Sequence, residues 1–165
     1  MDVHGDWSTQ GVSLLPLGRR FAAVRMSEAL VRAGVGCEGS VRIATVLEKA
    51  LYGPVIQDCR AVGITFYALT IWDDDTESVR FDDEDAQCLG PGVYLGVPRI
   101  DRREPPGSHW AVPPRYEGDL CAPEAVAALV ESGRRRLQSA EAPDPPLVVR
   151  PRLASLPVPG RDVRP

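Results

Sequence analysis

Residues 64–87, ITFYALTIWDDDTESVRFDDEDAQ, set the strongest strand candidate of the chain directly before its most acidic segment. The first nine, ITFYALTIW, are β-branched, aromatic and too continuously apolar for an exposed edge, which predicts an interior strand over 64–72. Other strands must then lie beside it. GVSLLPL (11–17) and FAAVRM (21–26) read as two strands joined by a turn at Gly18-Arg19-Arg20. Pro54, Val55 and Ile56 begin a short extended piece. CLGPGVYLGVP (88–98) reads as one strand with Val93, Leu95 and Val97 on a common face, and HWAVP (109–113) as another.

Helical signals fall between and after these strands. Ser27 is placed to N-cap a helix over about 28–35, with Met26 and Val31 at the two staple positions and Gly34 or Gly36 at its end. Ser40 opens a second helix, VRIATVLEKALY (41–52), whose apolar face is Ile43, Ala44, Leu47, Ala50 and Leu51, stopped by Gly53-Pro54. A third begins at Pro123, a residue suited to a first helical position, and turns Val126, Leu129 and Val130 inward. Glu124 lies in its first turn, and Arg134, Arg135 and Arg136 are expected just past its last, as the helix dipole prefers. The order predicts the α+β class: three helices packed on a mainly antiparallel sheet of about five to six short strands.

The chain has 165 residues, enough for one domain with a proper core, read as residues 1–138. Residues 139–165 hold seven of the 16 prolines and no helical periodicity, which predicts an extended or disordered Pro/Arg-rich tail. No apolar run reaches about 18 residues, and MDVHGDW has neither the basic nor the apolar part of a secretory signal. A cytoplasmic protein without a membrane partner is the expectation. Lys49 is the only lysine against 18 arginines, and asparagine is absent, a usage typical of a high-GC genome such as an actinobacterium.

Several chemistries fail on spacing. Cys37, Cys59, Cys88 and Cys121 are separated by 22, 29 and 33 residues, and with His4 and His109 they form no zinc-ligand pattern. Buried free thiols are expected instead. GxGxxG, GxxxxGK[ST] and GxSxG motifs are absent. In the acidic segment, Asp73, Asp75, Glu77 and Glu84 fall on calcium-loop positions, but Ser78 stands where the sharp turn needs glycine, and a strand rather than a helix precedes.

Residues 73–85 carry eight acids against Arg80, a net −7, so the remainder of a chain with net charge −4 is about +3. Like charges this close repel, which predicts a solvated loop or an electrostatic docking surface at Asp82, Asp83, Glu84 and Asp85 for a basic partner. Asp73 and Asp75 also have the two-residue spacing of a two-metal site, provided the strand continues far enough to put them on one face. His109 would then have to face the same cleft. Gly18-Arg19-Arg20 is a candidate phosphate cradle, and Arg134, Arg135 and Arg136 are candidates to meet a nucleic-acid backbone. Solvated arginines at a turn and a helix end account for the same residues. Trp7, Trp72 and Trp110 read as core and rim aromatics rather than a base-stacking platform.

The stretches at Trp7, LLPLGRRFAAVRM (14–26), GPV (53–55), FYAL (66–69), 88–98, 109–113 and DLCAPEAVAALV (119–130) together span most of the core. In these the chain resembles short actinobacterial, Streptomyces-type proteins that themselves distantly resemble bifunctional DNA primase/polymerase N-terminal domains. The resemblance implies Asp73 and Asp75 as metal ligands, His109 (after Gly107-Ser108) contacting a nucleotide phosphate, Asp119 as a third acid, and Mg or Mn as the ion of a nucleotidyltransferase. The leading expectation is a different one. It is a non-catalytic intracellular interaction or regulatory protein that needs no cofactor and takes a protein partner or a second copy of itself. A nucleic-acid-binding module is the third reading.

Overall fold

In a computed structural model, the structure describes residues 11–72, 81 and 83–141. The elements run β1 (Val12–Pro16), β2 (Ala22–Ser27), α1 (Glu28–Val35), α2 (Ser40–Leu51), β3 (Val55–Arg60), β4 (Gly63–Thr70), β5 (Ala86–Leu89), β6 (Tyr94–Pro98), β7 (Gly107–Val112) and α3 (Pro123–Glu141). This is the α+β class: a five-stranded sheet in the order β5-β2-β4-β3-β7 and a two-stranded sheet of β1 and β6, all pairs antiparallel, with three helices. The described strands number seven, because one expected strand is two.

The apolar run at 64–70 is β4, at the centre of the larger sheet between β2 and β3. Its alternate residues serve two cores. Phe66 and Ala68 join Val24, Met26 and Val55 beneath the helices, while Leu69 joins Leu17, Ala23, Ile56, Leu95, Val97 and Trp110 beneath the β1–β6 ribbon. With both faces covered, β4 has no solvent side on which polar residues would alternate. Hence its continuous hydrophobicity.

Local chemistry sets the helix ends. The Ser27 hydroxyl accepts the Leu30 N–H at 3.2 Å, and Met26 and Val31 are both buried in the helix-side core, as a staple requires. Gly36, at φ 70°, ends α1 by returning its N–H to the Arg32 carbonyl. α2 differs slightly from expectation: Ser40 is its first helical residue, and Gly39 occupies the cap without a side-chain bond. α1 and α3 cross on reciprocal glycines. A Cβ on Gly133 would lie 2.5 Å from the Leu30 carbonyl oxygen, and one on Gly34 would lie 2.9 Å from that of Leu129. The two backbones therefore approach more closely than any larger residue permits.

Two expectations are corrected. CLGPGVYLGVP is not one strand. Gly90–Val93 forms a β-turn closed by Val93 N–H to the Gly90 carbonyl at 3.2 Å, with Pro91 and then Gly92 at φ 88° in its central positions, the chemistry of a type II turn. The chain leaves the main sheet as β5 and enters the ribbon as β6. Second, Arg134–Arg136 do not follow α3 but lie within it. The helix runs on to Glu141, and its last turn holds no basic residue. Among the described residues, no helix is long and apolar enough to cross a membrane.

Candidate functional site

The sequence-selected residues fall in three separate places. His109 is 4% exposed on the edge strand β7. It sits opposite Gln57, which in turn sits opposite Phe66, so all three share the helix-covered face. Its Nδ1 lies 3.1 Å from the Gly107 carbonyl oxygen. Along the register, His109 is level with Phe66, four residues before β4 ends at Thr70, and two strands across from it. That separates it from the strand end by about 13 Å along the sheet and about 10 Å across. Asp73, Asp75 and Asp82 lie outside the described residues. Among the described residues, no group of three His, Cys, Asp or Glu side chains is placed to hold a metal ion.

The second place joins two groups that the sequence treats separately. Arg134, on the exposed side of α3, meets the acidic segment. Its Nη2 donates to Asp83 Oδ2 at 2.6 Å and Asp85 Oδ1 at 2.9 Å, its Nε donates to Asp85 Oδ2 at 3.2 Å, and its guanidinium lies 5.6 Å from the Phe81 ring centre. The Arg134 hydrogen bonds hold the Asp85 carboxyl below the usual range, and the same carboxylates push the guanidinium higher still. Backbone bonds continue the attachment. Ser27 N–H donates to the Asp85 carbonyl and Cys88 N–H to that of Phe81, which covers the outer edge of β5. The other two arginines point elsewhere. Arg135 bonds Glu131 one turn back, and Arg136 donates to the Ala33 carbonyl at 2.8 Å, meeting one of the orphan acceptors at the end of α1. Glu84 is exposed beside the clasp. The three arginines thus form no common basic surface.

The third place is an open cleft of about 570 Å³ on the opposite side of the sheet. Leu15, Phe21, Leu69, Val97 and Trp110 make an apolar floor, drawn from the ribbon and the main sheet together. The Trp110 indole N–H donates to the Pro98 and Arg99 carbonyls at 3.2 and 3.1 Å, fixing the ring and bolting β6 to β7. Ile100, 49% exposed, and Pro114 flank the mouth.

The rim is a turn, Tyr116–Asp119, closed by Asp119 N–H to the Tyr116 carbonyl, with Gly118 at φ 83°. Asp119 is buried at 4% exposure but fully engaged. Arg115 donates from Nε and Nη2 at 2.9 Å each and from its backbone N–H at 3.0 Å, and Nη2 also reaches the Tyr52 carbonyl that ends α2. These bonds hold the Asp119 carboxyl below the usual range. Burial pushes the neighbouring Cys121 thiol up to about 12, so it stays protonated and unreactive.

Arg20 enters this cleft from the β1–β2 turn, while Arg19 faces a separate hollow with Pro91–Tyr94. Gly18 in the same turn is pressed against Pro91, so this turn is a packing corner; Arg19 and Arg20 are exposed. Among the described residues, Arg20 has no ion-pair partner. Sequence reasoning named Arg20 and Trp110 but missed the cleft, which is assembled from six separated segments. The only local signal was the apolar-aromatic content of the stretches around 15–21 and 97–110. No family model matches the chain, and no curated protein or solved structure matches it significantly.

Proposed function

We propose that this chain is a non-catalytic intracellular interaction or regulatory protein, of a small primase/polymerase-like kind, whose recognition surface is the cleft between the β1–β6 ribbon and the main sheet. One observation carries the reading: a 570 Å³ cleft with an aromatic floor and a cation on its wall stands open. Recognition sites have this make-up, an apolar body with a few placed polar groups. Two further observations favour binding over chemistry. His109 is engaged with a backbone carbonyl under the helices, and Asp119 is held by Arg115.

The test compares the wild type with Leu15→Trp, which fills the cleft, and Ile100→Glu, which charges its mouth. Partners captured by the wild type should be lost from both variants, and any self-association seen by sedimentation should weaken. Identical capture and sedimentation from all three would overturn the reading. The nucleotidyltransferase reading, with Asp73 and Asp75 holding Mg or Mn, has its own signature. Under it, Mn²⁺ with a nucleoside triphosphate raises the melting temperature and Asp73→Ala abolishes the rise.

A further inference from the structure

We infer that the cleft binds a small amphipathic monocarboxylate: an aliphatic or aromatic acid whose apolar body lies on Trp110, Phe21 and Leu69 and whose carboxylate meets the Arg20 guanidinium. The inference rests on the cleft being the recognition surface and adds the chemistry of its ligand. Three features select that chemistry. The floor is apolar, so the body of the ligand is apolar. The wall contributes one guanidinium that has no ion-pair partner among the described residues, a planar fork that matches a carboxylate. The rest of the rim is acidic: Glu117 is exposed there, and Asp119 already has its cation in Arg115.

Charge balance then excludes the heavier anions. A phosphate or diphosphate would bring two or more negative charges to a single guanidinium and set the excess beside the exposed Glu117. A monocarboxylate is neutralised by Arg20 alone. A neutral ligand would leave the cation unused, and a cationic one would meet it directly. Arg20 is exposed at the mouth while Trp110 is buried at the floor, so the ligand enters apolar end first and keeps its carboxylate near solvent. Full desolvation of the ion pair, the usual obstacle to burying charge, is thereby avoided.

The experiment measures binding of decanoate and of 1-decanol to the full chain by calorimetry and thermal shift, with hexanoate and octanoate as a length series. Decanoate should bind at least tenfold more tightly than decanol, and each added methylene should strengthen binding by up to about fourfold. Arg20→Gln should remove the preference for decanoate and leave decanol binding unchanged. Leu15→Trp should weaken both. If decanol binds as well as decanoate, or Arg20→Gln has no effect, the carboxylate assignment is overturned while the cleft remains a recognition surface. If neither probe binds, or binding survives Leu15→Trp, this inference falls; the interaction reading is then judged on its own capture and sedimentation result. If a leucine-terminated peptide displaces decanoate at lower concentration than octanoate does, the ligand is a chain terminus and the small-acid class is wrong.

Discussion

The two faces of the central sheet are built on opposite rules. Under the helices every element is locked. α1 and α3 touch through Gly34 and Gly133, and Arg134 clamps Asp83 and Asp85. On the other face, a two-stranded ribbon covers only part of the sheet, and the uncovered part is the cleft containing Arg20. Arg134 and Arg20 make the contrast concrete. Both are arginines that the sequence offers for anion binding, yet one is paired inside the molecule and the other has no ion-pair partner among the described residues. An arginine's availability is decided by what the fold puts beside it.

Substitutions should therefore separate the internally locked groups, which set stability, from the open cleft, which sets binding. Gly133→Val should have the largest effect, about 3 kcal/mol of lost stability by denaturant unfolding, because the new side chain meets the Leu30 carbonyl and forces the helices apart. A loss under 1 kcal/mol would mean that the crossing is not rigid. Asp119→Asn should cost about 2 kcal/mol, since a buried acceptor of charged hydrogen bonds is replaced by a group that cannot serve Arg115 on both oxygens. Arg134→Gln should cost about 1 kcal/mol, the scale of a partly exposed ion-pair network, and less at high salt. Arg20→Gln should change stability by less than about 0.5 kcal/mol, as surface substitutions do, and Leu15→Trp, at a half-buried position on the open cleft floor, by about 1 kcal/mol or less, while both alter what the cleft binds.

Acid titration distinguishes the paired charges from Arg20. The carboxyls of Asp85 and Asp119 are both lowered in the folded chain. Their contribution is complete above the unfolded carboxylate range, about pH 4, and is lost as the pH falls through their lower folded values. Stability should be level from pH 7 to about 5 and fall below 4. In Asp85→Asn and Asp119→Asn that acid slope should be shallower, whereas Arg20→Gln should leave it unchanged. Equal slopes in all four proteins would show that these pairs contribute nothing to folding.

Much of the fold was legible because its signals are local. Ser27, Met26, Val31 and Gly36 define α1 among themselves, and ITFYALT could only be an interior strand. The turn at Gly90-Pro91-Gly92 is equally local but masked, because the apolar pattern of 88–98 runs through it and suggests one strand. The end of α3 is hidden from the sequence for a different reason. Three consecutive arginines look like a helix terminus when read alone, but here they have partners at Asp83 and Asp85, at Glu131 and at the carbonyl end of α1. Two of those three lie far away in sequence.

By itself, then, the sequence determined the α+β class, the element types and most of their ends, since capping, periodicity and turn chemistry act within a few residues. It also determined that acids and bases would be concentrated in particular stretches. Only the tertiary structure decided which of those charges neutralise each other, that His109 lies beneath the helices while Trp110 faces the ribbon, and that Leu15, Arg20, Leu69, Val97, Trp110 and Asp119 border one cleft. The physical reason is that these outcomes depend on strand order and layer crossing. The free energy that sets both is the sum of many weak burial terms between distant residues, and no short window of sequence contains it.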